Sequence, residues 1–162
     1  IIGSDMYKIG VMQGRLSPMI DGKIQAFPAE SWKEEFAIAK KIGFELIEWV
    51  LDLTDLENNP IVSFDGRKEM VRLQNEYQIE IPSICCDYFM EFPLQSVQLD
   101  ERLKAQGMLM ELIRLCPEVG IRYIELPLIG RAGLEQKENA QKITALLNDL
   151  VPMLEKQDVY LL

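Results

Sequence analysis

Lys41-Ile-Gly-Phe-Glu-Leu-Ile-Glu48 and Glu118-Val-Gly-Ile-Arg-Tyr-Ile-Glu125 follow one grammar: the tail of an apolar-striped segment, a glycine, then a short run closing on a glutamate. A glycine just past the last helical residue reads as a helix stop, because it takes the left-handed conformation there without steric cost. The Ile, Leu and Tyr that follow read as a strand. Helix end, glycine and strand thus occur twice, two strand–helix units apart. The spacing is slightly longer than the roughly 31 residues per unit of a (β/α)8 barrel of about 250 residues.

The same alternation extends in both directions. Five apolar segments, Tyr7 to Met12, Phe44 to Leu51, Ile79 to Cys85, Ile121 to Leu128 and Val159 to Leu162, read as buried strands. Between them lie helical stripes. Trp32, Phe36, Ala39 and Ile42 form the first, opened by a Ser31/Glu34 capping box. Met70, Leu73 and Tyr77 mark the second. Leu99, Leu103, Gln106, Met110 and Ile113 mark the third, widened by Leu109, Leu112 and Cys116. Ile143, Leu146, Leu147, Leu150 and Leu154 mark the fourth. Pro117 and Pro152 should bend or end the last two helices.

Strands alternating with helices require a parallel sheet with right-handed crossovers. Two α/β architectures fit. One is the N-terminal half of a (β/α)8 TIM barrel over residues 6–162, about four β/α units plus the start of strand five. The other is a doubly wound flavodoxin-like sheet, which needs a helix after its fifth strand. Leu162 falls within what reads as that strand, so the pattern favours the barrel half. Ile1 to Asp5 read as a loose lead-in or an expression remnant.

The connections are lopsided. Those from helix to strand take a few residues (Ile42-Gly43, Gln78, Val119-Gly120), whereas residues 13–30, 52–64, 86–97 and 129–138 join strand to helix. Parallel α/β proteins bind ligands at the carboxyl ends of their strands, so chain length has been added where a site would lie.

Composition narrows the chemistry. The 162 residues are 48% hydrophobic and 27% charged, as in one soluble globular domain. A formal charge of -9 repels a phosphate backbone and disfavours nucleic acid. Histidine is absent, so proton transfer falls to carboxylates, Lys, Tyr or Cys. Cys85, Cys86 and Cys116 form neither a disulfide framework nor a thiolate zinc pattern, which suits a reducing cytoplasm. No apolar run reaches the roughly 18 residues of a membrane span, and no membrane partner is expected. The phosphate-binding GxxxxGK[ST] and GxGxxG loops and the GxSxG elbow are missing.

What the long loops offer is a polar set: Gln13 and Arg15, Glu48 and Asp52, Asp87 and Glu91, Glu125, and Arg131. Glu48 and Glu125 end apolar strands, where an isolated carboxylate is costly unless it meets a cation, a metal or a hydroxylated ligand. An ion pair with a neighbouring Arg or Lys would serve equally. Arg15 could clamp a sugar hydroxyl or phosphate, or pair with an acid, and Gly14 beside it permits close approach. Trp32 belongs to the core, and Trp49 to the core or to a sugar-stacking position. Cys85 and Cys86 continue a buried strand without a His to activate them, and read as core. Glu34, Glu35, Glu69, Glu76, Glu135 and Glu138 read as a solvated face.

The run Ile9-Gly-Val-Met-Gln-Gly-Arg-Leu-Ser-Pro18, with Gly22-Lys-Ile-Gln-Ala-Phe-Pro28, Trp32, Glu35-Phe36 and Gly43-Phe-Glu-Leu-Ile-Glu-Trp49, resembles the sugar phosphate isomerase/epimerase family of the xylose isomerase-like TIM barrel superfamily. Ile81-Pro-Ser-Ile-Cys85, Phe92-Pro-Leu-Gln-Ser96 and Gly120-Ile-Arg-Tyr-Ile-Glu-Leu126 resemble the third and fourth strand regions of its ketose-phosphate 3-epimerase and hexulose-phosphate isomerase branch. The resemblance implies a barrel that moves a proton or hydride between adjacent carbons of a small sugar or sugar phosphate. A divalent metal (Mn, Mg, Zn or Co) would assist in the full-length member. In that family the metal ligands come from strands five to eight, so this segment is expected to bind no metal, to supply no catalytic base and to be inactive alone. The substrate-binding residues it would contribute are Gln13, Arg15, Glu48, Asp87 and Glu125. Phe89, Met90 and Glu91 stand where related epimerases carry a His and basic residues, which weighs against a phosphorylated substrate. The lack of His also argues against the zinc endonuclease branch. Two open sheet edges make a homo-oligomer an expectation. The alternative architecture implies a non-catalytic sugar-binding module instead.

Overall fold

Gly43 adopts φ 101° and Gly120 φ 87°, and each ends a helical segment in the left-handed conformation that the repeated grammar requires. The computed structural model describes residues 7–23 and 25–162; the lead-in Ile1 to Asp5 lies outside them. The elements in chain order are β1 (Gly10–Met12), α1 (Glu34–Ile42), β2 (Leu46–Val50), α2 (Phe64–Tyr77), β3 (Ser83–Cys85), the single turn α3 (Tyr88–Glu91), α4 (Leu99–Leu115), β4 (Tyr123–Glu125), α5 (Lys137–Gln157) and β5 (Tyr160–Leu161). Among the described residues no helix is long and apolar enough to cross a membrane.

The five strands are parallel and lie in the order β1-β2-β3-β4-β5. A doubly wound sheet reverses direction and places its first strand between two others. Sequential order therefore overturns the flavodoxin-like alternative and leaves the singly wound arrangement of a (β/α)8 barrel.

Alternation along the strands gives the sheet two unlike faces. Ile47, Trp49, Ile84 and Ile124 point to one of them and join a single core with Phe36, Ala39, Met70, Leu73, Leu109, Leu112, Ile143 and Leu150 from the helices. The other face carries Met12, Glu48 and Ser83 in one row, with Tyr123 and Tyr160 continuing it, and Val50, Cys85 and Glu125 in the next. On this second face Val50 and Cys85 are buried, Glu48, Ser83 and Glu125 are half-buried, and Tyr123 and Tyr160 lie exposed with ring centroids 5.7 Å apart.

Several local expectations change. Ser31 and Glu34 form no capping box: α1 starts at Glu34 without a side-chain cap, and the Ser31 hydroxyl bonds Ser17 Oγ at 2.9 Å instead. Pro152 lies inside α5, which continues to Gln157. On α4 the buried stripe is Ala105, Leu109, Leu112 and Ile113, whereas Leu99, Leu103 and Met110 are exposed. Pro117 does end its helix, by opening a 3-10 turn over Cys116–Val119.

Trp49 belongs to the core, not to a sugar-stacking position. It is fully buried, edge-on to Trp32 at 5.6 Å, and donates its Nε1–H to Asn59 Oδ1 at 3.0 Å. Asn59, also buried, accepts from the Ile61 N–H at 3.3 Å and donates to the Val50 carbonyl at 3.1 Å. One amide thus satisfies three buried polar groups beside β2. Asn59→Ala orphans all three, and a loss of at least about 3 kcal/mol is expected from urea denaturation, given ~1–3 kcal/mol for each stranded group.

Candidate substrate site

The carboxyl ends of β1 to β4 bring together four of the five side chains singled out from the sequence. Glu48 is half-buried at the end of β2 and accepts a 2.8 Å hydrogen bond from Ser83 Oγ on the adjacent strand. Glu125 stands in register with Cys85. Asp87 follows β3 and takes Gln25 Nε2 at 2.6 Å on one oxygen and Cys85 Sγ at 3.5 Å on the other. No Arg or Lys pairs with Glu48, Asp87 or Glu125 among the described residues' ion pairs.

Gln13 is only 1% exposed. Its backbone N–H donates to the Glu48 carbonyl at 2.9 Å and its Oε1 accepts from the Val50 N–H at 3.1 Å, so it laces β1 to β2. Its Nε2 has no acceptor among the described residues. Arg15, the fifth residue, stands apart: it is exposed on the loop after β1, its guanidinium 4.0 Å from Met12 Sδ. Arg131 pairs with Glu101 and bonds the Glu91 carbonyl.

A cavity of ≈ 260 Å³ opens beside Asp87, lined by Lys23, Gln25, Asp52, Met90 and Glu91 among others. Asp52 shapes its rim by accepting from the Phe27 N–H at 3.3 Å and the Thr54 hydroxyl at 2.8 Å. Burial pushes the Asp87 carboxyl above its ordinary value, with the like charge of Asp52 adding to it, against the lowering pull of the Cys85 and Gln25 hydrogen bonds. Burial also raises the Cys85 thiol, helped by the charges of Asp87, Glu125 and Glu48. Cys86 is raised by burial and Cys116 is pushed up to about 12, so none of the three is a ready thiolate.

Glu35 departs from the solvated face assigned to it. It is 1% exposed and accepts from the Gly14 N–H at 2.9 and 3.1 Å and from the Leu16 N–H at 3.2 Å. The clue was its spacing: position 35 lies three residues after Trp32 and one before Phe36, inside the apolar stripe. Gln25 had no signal, since it meets Asp87 only through the fold of its loop.

The geometry of five singly wound strands with polar carboxyl ends coincides with a match of residues 36–162 to the family described as xylose isomerase-like TIM barrel. The chain belongs to that family. Over 106 residues it is 35% identical to L-ribulose-5-phosphate 3-epimerase of Escherichia coli, covering 63% of this chain and 37% of that enzyme. It is 34% identical to the Salmonella typhimurium enzyme of the same name, with the same coverage. The chain therefore spans about 37% of the length of these curated relatives. Among solved structures, D-psicose 3-epimerase with D-tagatose from Clostridium cellulolyticum H10 superimposes with TM-score 0.70 at 15% identity, over 96% of this chain and 51% of that one. L-ribulose 3-epimerase gives TM-score 0.70 at 18% identity, over 96% and 48%. A xylose isomerase-like TIM barrel protein from Mycobacterium smegmatis in complex with magnesium gives 0.58 at 15%, over 83% and 46%. At these identities the structural likeness concerns the fold.

A divalent metal would need several convergent donors. Among the described residues no three Cys, Asp or Glu side chains lie close enough to hold one, and Asp87 and Glu48 already accept from Gln25 and Ser83. The donors present do not by themselves make a metal site.

The raised Asp87 value sets a sign for stability. The folded state binds its proton more tightly than the unfolded chain, so this contribution is full below the ordinary aspartate range and is lost as pH rises through the raised value. Asp87→Asn, which removes the charge, is expected to be more stable than wild type at about pH 7, with the difference shrinking toward acid. Urea denaturation across that range measures it.

Proposed function

We propose that this chain forms the substrate-facing part of a sugar or sugar-phosphate isomerase or epimerase. The observation that carries the reading is the sheet face turned away from the helix-packed core. Gln13, Glu48, Asp87 and Glu125 gather at its carboxyl end, where Glu48 and Asp87 accept from neutral donors rather than from cations. Carboxylates so placed are acceptors for sugar hydroxyls. The sequence likeness to L-ribulose-5-phosphate 3-epimerases supports the same substrate class.

Inversion at the carbon beside a ketone removes that carbon's proton, leaves an enediolate and returns a proton to the opposite face. In this reading Glu48, Asp87 and Glu125 fix the hydroxyls that hold the reacting carbon in place, and Gln13 fixes the spacing of the first two strands. Arg15 reaches the more polar end of the sugar from the loop after β1. Neither ligands for a divalent metal, which would supply polarisation of the carbonyl, nor a catalytic base are assigned among the described residues. Three buried free thiols suit a reducing cytoplasm.

The test is solvent exchange. Incubated in D2O with Mg²⁺ or Mn²⁺ and a panel of 2-ketopentoses, 2-ketohexoses and their phosphates, the intact protein is expected to wash deuterium into the carbon next to the carbonyl, followed by proton NMR. Glu48→Gln and Glu125→Gln should each reduce kcat/KM by about 10–100-fold, the scale of one or two charged hydrogen bonds. No exchange with any ketose would refute the reading.

A further inference from the structure

We infer that Glu35 is the positioning residue of this site: from α1 it holds the turn on which Gln13 and Arg15 are mounted. This rests on the assignment of Arg15 to sugar binding and of Gln13 to the spacing of β1 and β2 at the site.

Three donors from four consecutive residues converge on one buried carboxylate. Gly14 N–H reaches both oxygens at 2.9 and 3.1 Å, Leu16 N–H reaches Oε1 at 3.2 Å, and the Ser17 hydroxyl completes the set. The Ser17 oxygen is itself tied to the Ser31 hydroxyl at 2.9 Å, which extends the grip to the approach of α1. Gln13 and Arg15 flank Gly14 in this turn, so clamping the Gly14 and Leu16 amides fixes the backbone on either side of Arg15 and just after Gln13. The turn admits little else: Gly14 sits at φ +87°, where an added Cβ would come within 2.6 Å of the Ala26 carbonyl.

A structural filler does not account for a carboxylate here. Position 35 lies in the apolar stripe of α1, where Leu or Met would pack without the cost of burying a charge. Burial indeed raises this group's proton affinity against the lowering pull of its hydrogen bonds. What an apolar residue cannot do is accept from three donors. A carboxylate has about four acceptor positions; an amide of the same size has one acceptor oxygen and turns two N–H groups toward the same donors.

Glu35→Gln therefore keeps volume and breaks the clamp. In 15N-labelled intact protein it should speed hydrogen exchange at the Gly14 and Leu16 amides at least about 10-fold and leave Ala39, within α1, unchanged. Unchanged exchange at both amides overturns the proposal. In turnover assays Glu35→Gln should raise KM about 10-fold with kcat altered less than about threefold, the split expected when substrate placement is lost and the fold is kept. Arg15→Ala should raise KM as well, and adding Glu35→Gln to it should cost less than about twofold more, because Glu35 acts through that turn. Full multiplication of the two effects, or an unchanged KM in Glu35→Gln alone, overturns the proposal. If the intact protein turns over no ketose, the sugar-epimerase reading falls, and the exchange measurement still decides whether Glu35 holds the turn.

Discussion

The constraint on which the rest of the molecule depends is that its helices cover only one face of a singly wound parallel sheet. Side chains on a strand alternate between faces, so every apolar residue committed to the helices sends its neighbour the other way. Ile47 and Trp49 enter the core, and Glu48 between them cannot. Ile124 does the same to Glu125. The carboxylates at the strand ends are thus placed by the packing of residues that never touch a ligand.

That placement sets the electrostatic character of the site. Glu48, Asp87 and Asp52 are steadied by Ser83, Gln25 and Thr54, all neutral donors, while helix cations pair with helix carboxylates, as Arg72 does with Glu69, whose carboxyl it holds down to about 2. An ion pair at the strand ends would have consumed the acceptor capacity that a polyhydroxylated ligand needs. Neutral partners leave acceptor capacity on each carboxylate, and burial at the mouth, with the charge of Asp52 adding to it, raises Asp87 above its ordinary value.

Most of the architecture was legible because it follows from periodicity. The Gly43 and Gly120 helix stops, the strand–helix alternation and the lopsided loops sufficed for a barrel-type sheet, and the glutamates that close the repeated motif proved to be the ones on the open face. What was not legible depended on tertiary choice. Ser31 and Glu34 satisfy a capping pattern, yet the Ser31 hydroxyl finds Ser17, a partner fourteen residues away that local spacing cannot reveal. Leu99, Leu103 and Met110 repeat as regularly as the stripe that is buried, and only contact with the sheet decides between the two faces of α4. Glu35 escapes a reading by charge alone: its spacing is that of a core residue, and its partners lie in a loop with no period of its own.

Cys85 and Cys86 adjoin in sequence yet serve opposite faces, the first beneath Asp87 at the polar mouth and the second within the apolar core beside the helices. Both are reduced, buried and hard to ionise. The pair amounts to two built-in reporters a single peptide bond apart. Loosening of the mouth alone exposes one sulfur to an alkylating reagent, whereas the other becomes reachable only when the helices leave the sheet, so the order in which they are labelled separates local breathing from global unfolding.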